Sequence, residues 1–336
     1  MMDFNLPSIW ALIIGFGLMM YVFLDGFDLG IGLLFPLVKN NHERDIMVNS
    51  VAPVWDGNET WLVLGGAGLL TAFPMAYSVI LSALYGPILV MLFGLILRGV
   101  AFEFRFKATE PHRPLWDKLF FVGSFMATFA QGTAMGAVII GFPVVNGEFA
   151  GDTLDWLTPF SLFTGCSLLF AYGLLGATWL VVKTEHNLYK QMRKLIKPLT
   201  ILLALCMLGI SIYTPMINPD VKAMWFNWSN IAYLAPLPII TGIFVLLLLG
   251  SVNSAKHYRP FIYTLCMLFM GYLGLCISLW PNIIPPSVSI YEAAAPESSL
   301  KFTLVGVVII VPFILAYTFW SYYVFRGKVI DTEGYH

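Results

Sequence analysis

Nine apolar runs dominate the sequence, at about 9–37, 54–73, 77–104, 116–140, 159–182, 199–217, 231–250, 260–283 and 303–325. Each matches or approaches the roughly 20 residues that carry a helix across a bilayer core. Backbone polar groups in hydrocarbon must be bonded inside their own segment, so runs of this length admit helices and little else. Hydrophobic residues make up 59% of the 336 and charged residues 11%, with a mean hydropathy of +0.81, and no stretch is left for a soluble domain. The expected fold is a single all-α integral membrane domain over 1–336 with nine transmembrane helices, the second being the least apolar.

Lysine and arginine set the orientation, because cytoplasmic loops carry their excess. The first, third, fifth and seventh loops and the C-terminal tail hold Lys39, Arg44, Arg105, Lys107, Arg113, Lys118, Lys183, Lys190, Arg193, Lys194, Lys197, Lys256, Arg259, Arg326 and Lys328, 15 of the 18. Lys222 and Lys301 lie on the other side and Arg98 inside a run. The N-terminus is therefore expected outside and the C-terminus in the cytoplasm. The opening MMDFNLP is acidic and lacks the positive region of a signal peptide, so the first run is expected to remain as an anchor.

Composition removes several function classes. A net charge of −1 gives nucleic acid nothing to bind. Cys166, Cys206, Cys266 and Cys276 fall inside apolar runs without a CxxC pair and are expected as packing residues. His42, His112, His186, His257 and His336 lie in polar loops or at the C-terminus, so no haem is expected on histidines of this chain's own helices. Methionines are expected as flexible core fillers. No metal constellation, no nucleophile with a nearby base and no nucleotide-binding motif is present.

Charge inside the first three runs is the exception. Asp25, Asp28, Asp56, Glu59, Arg98 and Glu103 lie within or at the ends of these runs. At about 1.5 Å per residue, Asp25 lies about 24 Å into a core of about 30 Å, so all six gather near the cytoplasmic boundary. Spacing of i, i+3 puts both carboxylates of each acidic pair on one helix face. A central Asp or Arg facing lipid costs roughly 2.5–3.5 kcal/mol, so such residues turn to a bundle interior or a water path. Two roles fit Asp25 and Asp56: proton conduction, or pairing with Arg98 as structural glue. Asp56 also fits an N-cap of the second helix, with Glu59 completing a box. Glu103, Arg105 and Lys107 read as a solvated face. Gly26, Gly30 and Gly32, and Gly65, Gly66 and Gly68, are expected to admit close helix packing. Trp10, Trp116, Trp156, Trp179, Trp280 and Trp320 are expected as interfacial anchors, and Trp55 and Trp61 as core packing.

Three stretches carry a resemblance: LDGFDLGIG (Leu24–Gly32), RDIMVNSVAPVWDGNETWL (Arg44–Leu62) and LRGVAFEFRFK (Leu97–Lys107). Together with the closing VVIIVPFILAYTFWSYYVF, they resemble subunit II of the cytochrome bd family of quinol oxidases, and VWDGNETWLVLGGAG is most similar to its cyanide-insensitive branch. The resemblance implies two four-helix bundles plus one peripheral helix in a bacterial inner membrane. It implies an obligate partner, subunit I, which holds haems b558, b595 and d, and a small accessory subunit in some complexes. It implies that quinol, here ubiquinol, is the substrate of the complex, that dioxygen is reduced to water, and that protons are taken from the cytoplasm without pumping. A quinone bound structurally in subunit II occurs in part of the family, and no pocket for one is identifiable in the sequence.

By motif, Asp56 occupies the place of the family aspartate proposed to help deliver protons across the subunit boundary, with Trp55 beside it and Asn58 following. Asp25 and Asp28 occupy the DGFD pair and Arg98 the arginine of the third helix. Glu59 departs from relatives that carry glutamine. The competing class is a proton-coupled transporter, which also clusters intramembrane carboxylates. The later helices lack the matching broken pair of an inverted repeat.

Overall fold

The computed structural model describes residues 5–329, and Asp3 of the acidic N-terminus and His336 lie outside the described residues. α1 (Leu6–Leu34) starts where the Asn5 side chain accepts from the Ser8 amide at 3.1 Å, with a proline in its first turn, and closes in a 3₁₀ turn at Phe35–Leu37. α2 (Asn41–Asn49), capped by Asn40, is a short polar helix in the loop between the first and second runs. α3 (Trp55–Ala72) follows the predicted second run.

The predicted run 77–104 is not one helix. α4 (Pro74–Ala83) and α5 (Tyr85–Lys107) are separated at Leu84. Pro87 has no amide to bond Ala83 and its ring crowds that carbonyl, which breaks the helix. α6 (Arg113–Ile140) stops at Gly141, whose φ of +90° favours glycine. α7 (Pro159–Lys183) opens with a Thr158–Ser161 capping box.

α8 (His186–Ile217) begins more than three turns before the predicted 199. Its first turns bury Leu188, Met192 and Ile196 while exposing Lys190, Lys194 and Lys197, an amphipathic stretch that mean hydropathy overlooks. α9 (Pro219–Trp225) and α10 (Trp228–Leu234) are short, and α11 (Pro236–Ser251) is offset from α10 at Ala235, so the predicted 231–250 is also divided. α12 (Arg259–Leu279) ends before Pro281 rather than at 283, and α13 (Glu297–Val324) starts before the predicted 303. Two small antiparallel hairpins, Val144–Val145 with Glu148–Phe149 and Asn282–Ile284 with Val288–Ser289, lie in the loops after α6 and α12.

Eight helical stretches among the described residues are long and apolar enough to cross a membrane, and the chain is an all-α multi-pass membrane protein. α3 is outside those eight because WDGNET makes its first turns polar. α1 is the central element, packed on α3, α6 and α7 and touching α12 and α13. From Asp25 to Gly32 every residue of α1 is buried. The approach of α7 needs the absence of side chains: a Cβ on Gly30 would stand 1.9 Å from the Tyr172 carbonyl oxygen, and one on Gly176 2.5 Å from the Gly30 carbonyl carbon. Gly65 and Gly68 face Leu18 and Ile14 across the α1–α3 contact, whereas Gly66 has nothing within 4 Å and is not a packing residue.

Several aromatic and sulfur positions also differ from expectation. Trp10 and Trp179 are core residues rather than interfacial anchors, at 1% and 6% exposure. Trp10 donates to the Leu300 carbonyl at 3.2 Å, and Trp179 stacks on Phe27 with ring centroids 4.3 Å apart. Cys166 and Cys276 lie on the exposed face rather than in packing positions. α13 presents Phe313 and Phe319 outward and leans by one edge on α3 and α1.

Candidate functional site

Arg98 projects from α5 between α1 and α3 and is 2% exposed. Its guanidinium fork takes two carboxylates: Nη1 donates to Asp25 Oδ1 at 2.7 Å, and Nη2 donates to Glu59 Oε1. Its carbon lies over the Trp55 ring, 5.8 Å from the centroid. Only arginine offers donors in this fixed fork, so one cation ties three helices.

Asp28 belongs to the same cluster without a cation of its own. Its Oδ2 accepts from Asn58 Nδ2 at 2.8 Å, and the same nitrogen donates to the Leu24 carbonyl at 3.2 Å. Asn58 Oδ1 in turn accepts from the Tyr322 hydroxyl of α13 at 2.9 Å. Asp25 Oδ2, Asp28 Oδ1 and Arg98 Nε are buried and have no hydrogen-bond partner among the described residues. A cavity of about 10 Å³, the size of one water, lies between Asp28, Trp55, Arg98 and Gly99, with Phe102 and Phe120 behind. Asp28 and Arg98 line this space and Asp25 does not.

Asp56 is elsewhere. The buried face of α3 runs through Asn58, Trp61, Gly65, Gly68 and Ala72, and Asp56, two residues before Asn58, is rotated about 200° from it. Asp56 is exposed on the outer face and does not join Asp25, Asp28 and Arg98. Nor is it an N-cap, since that position is Val54, which makes no side-chain cap bond. In the first turn its charge suits the helix dipole. Glu103 is likewise exposed and outside the cluster. Trp61 is buried at 1% exposure, as core packing requires.

Arg105 corrects the solvated-face expectation, while Glu103 and Lys107 keep to it. At 1% exposure Arg105 donates from Nε to Asp117 Oδ1 at 2.7 Å and from Nη1 to Asp45 Oδ1 at 2.5 Å. Arg44 Nη1 donates to the other Asp117 oxygen at 2.7 Å. Arg44 and Arg105 each lie 5.4 Å from the Phe35 ring centroid. This second network joins the C-terminal ends of α1 and α5 to the N-terminal end of α6. Its signal was the helical period, for Arg105 follows Arg98 by two turns on the buried face that includes Gly94 and Ala101. Tyr322 gave no comparable signal, because nothing local says what a lone tyrosine of an apolar helix meets.

No group of three or more His, Cys, Asp or Glu among the described residues is arranged to hold a metal ion. His42, His112 and His186 are exposed at loops or helix starts.

Comparison with known proteins agrees with this architecture. The family model for cytochrome bd terminal oxidase subunit II matches residues 6–325. The chain is 29% identical to the cytochrome bd-I ubiquinol oxidase subunit 2 of Escherichia coli K12, covering 99% of this chain and 98% of that one. It is 27% identical to the cytochrome bd ubiquinol oxidase subunit 2 of Bacillus subtilis, covering 98% of each. The fold superposes on the bd oxidase structure from Geobacillus thermodenitrificans with a TM-score of 0.79 at 18% identity, covering 94% of this chain and 97% of that one. The chain belongs to the cytochrome bd terminal oxidase subunit II family.

Proposed function

We propose that this chain is the haem-free second subunit of a bd-type ubiquinol oxidase in a bacterial inner membrane. It partners a haem-bearing subunit I in oxidising quinol and reducing dioxygen to water, stabilises that partner and contributes cytoplasmic proton uptake. The family match over residues 6–325 and full-length similarity to two ubiquinol oxidase second subunits support the role. The finer reading has α3 as a ninth span, two four-helix bundles with α13 peripheral, the N-terminus outside and the C-terminus inside. The packing of α3 along α1 and the positive-inside loops favour it. Haems b558, b595 and d are assigned to subunit I, and the loop and helix-start positions of the histidines fit that assignment. Quinone is the substrate of the complex. A structural quinone and a small accessory subunit belong to the same reading by family resemblance alone.

The proton path is carried by one observation: a buried Arg98–Asp25 pair beside Asp28, three orphaned polar atoms and a water-sized cavity near the cytoplasmic boundary. Within this path Asp25 and Arg98 hold a fixed charge pair, while Asp28, with Asn58 as its neutral partner, takes up and passes a proton through water. Glu59 anchors the second arm of Arg98, and Trp55 shields its face. Asp56 is exposed on α3, where a proton arriving from a partner's surface meets it first. Family membership displaces the proton-coupled transporter.

The test is Asp56→Asn in the purified two-subunit complex. Turnover falls while the haem absorption spectrum persists. Loss of all haem together with the complex assigns Asp56 a structural role instead.

A further inference from the structure

Three side chains deeper in the bundle form a chain that the cluster above does not use. The Tyr172 hydroxyl of α7 donates to Gln131 Oε1 at 3.0 Å, and Gln131 Nε2 of α6 donates to the Tyr21 hydroxyl of α1 at 2.6 Å. Tyr21 and Tyr172 are buried at 3% and 0% exposure. Tyr172 has no acceptor other than Gln131 among the described hydrogen bonds. An amide presents one acceptor end and one donor end, so a buried Tyr172 proton fixes the Gln131 oxygen toward α7 and its NH₂ toward α1. Tyr21 then receives a hydrogen bond and cannot return its own proton to Gln131. One helical turn along the same face of α1 stands Asp25, whose Oδ2 is buried and without a partner. Among the described hydrogen bonds the Tyr21 hydroxyl has no acceptor of its own, and no direct bond joins it to that oxygen.

We propose that Tyr172 and Gln131 are positioning residues that turn the Tyr21 proton toward Asp25. The two hydrogen bonds run in one direction, from α7 through α6 to α1, and leave the Tyr21 proton free for the carboxylate that Arg98 holds by its other oxygen. Asp25 is thereby kept as the fixed anion of the cluster, which leaves Asp28 as the carboxyl that exchanges protons. This rests on the proton-uptake reading for its consequence but not for its geometry.

The experiment uses the intact two-subunit complex and the variants Tyr172→Phe, Gln131→Leu and Tyr21→Phe, with the haem spectrum confirming assembly in each. Infrared difference spectra locate the Asp25 carboxylate band by its loss in Asp25→Asn. Tyr172→Phe is expected to shift that band, and Tyr172→Phe combined with Gln131→Leu to shift it no further than Gln131→Leu alone, because the residues act in series. Turnover is expected to fall about threefold to tenfold in Tyr21→Phe, the scale of one lost buried hydrogen bond, with a larger solvent deuterium effect. A shifted band with unchanged turnover upholds the chain and removes Asp25 from proton uptake. An unmoved band in Tyr172→Phe, with assembly intact, overturns the proposal and leaves the three residues as helix glue.

Discussion

Arg98 Nη1 stands 2.7 Å from Asp25 Oδ1, and this contact joins α5 to α1 at a depth where neither side chain reaches bulk water. Each charge is tolerable there because of the other. Breaking a buried pair from one side costs about 3–5 kcal/mol, since the remaining ion stays uncompensated. Arg98→Met leaves Asp25 and Glu59 without their cation, so the complex is expected to lose assembly, read as haem recovered per membrane protein. Asp25→Asn, in which Arg98 keeps Glu59, is expected to assemble better than Arg98→Met.

Asn58 makes a bond to each of Asp28, Leu24 and Tyr322, and links α1, α3 and α13. Asn58→Leu preserves the volume but strips Asp28 of its only side-chain hydrogen-bond donor among the described residues. It is expected to cost about 2–4 kcal/mol, against about 1 kcal/mol for Tyr322→Phe, measured as the thermal midpoint of the purified complex.

Glycine substitutions separate the two faces of α3 from the α1–α7 contact. At Gly30 an added methyl meets the Tyr172 backbone, which cannot yield, so Gly30→Ala is expected to prevent stable insertion. At Gly66 the space is open, and Gly66→Ala is expected to be neutral or to stabilise by up to about 1 kcal/mol through helix propensity. Quantities of folded protein in detergent extracts distinguish the two.

Asp117 accepts from Arg44 and Arg105 on opposite oxygens. Asp117→Asn leaves both guanidiniums short of charge compensation near Phe35, and a loss of about 2–4 kcal/mol is expected. A double variant with Arg44→Gln is expected to lose less than the sum of the single changes, because the sites share one partner.

The C-terminal tail offers a pH-dependent contact. Glu185 Oε1 stands 2.9 Å from Lys328 Nζ, and the hydrogen bond and charge of Lys328 hold the Glu185 carboxyl below its ordinary value. A lowered folded value means that the contact contributes fully above the ordinary glutamate value of about 4.3 and is lost as pH falls through the folded value. Proteolysis after residue 326 is expected to accelerate only in that acidic range, and Glu185→Gln to give the acid rate at neutral pH.

What the sequence determined by itself was everything that depends on composition along a segment: the membrane class, the positions of most helices, and the DGFD, WDGNET and LRGVAFEF stretches that carry the family resemblance. Hydrocarbon enforces those features locally, because each run must satisfy its own backbone. Helix breaks at Leu84 and Ala235 were legible in principle from Pro87 and from Pro236 and Pro238, but apolar run length hides them.

Only tertiary structure decided which charge of each stretch turns inward. Asp56 and Glu59 are three residues apart, and helical spacing leaves them about 60° apart, close enough to be read as one face. The side of α3 that closes on α1 is chosen by Gly65 and Gly68 against Leu18 and Ile14, and that contact carries Asn58 inward, brings Glu59 to Arg98 and leaves Asp56 outside. The donor chain from Tyr172 to Tyr21 arises in the same way, from residues 41 and 110 positions apart that meet only because glycines let α1 and α7 touch.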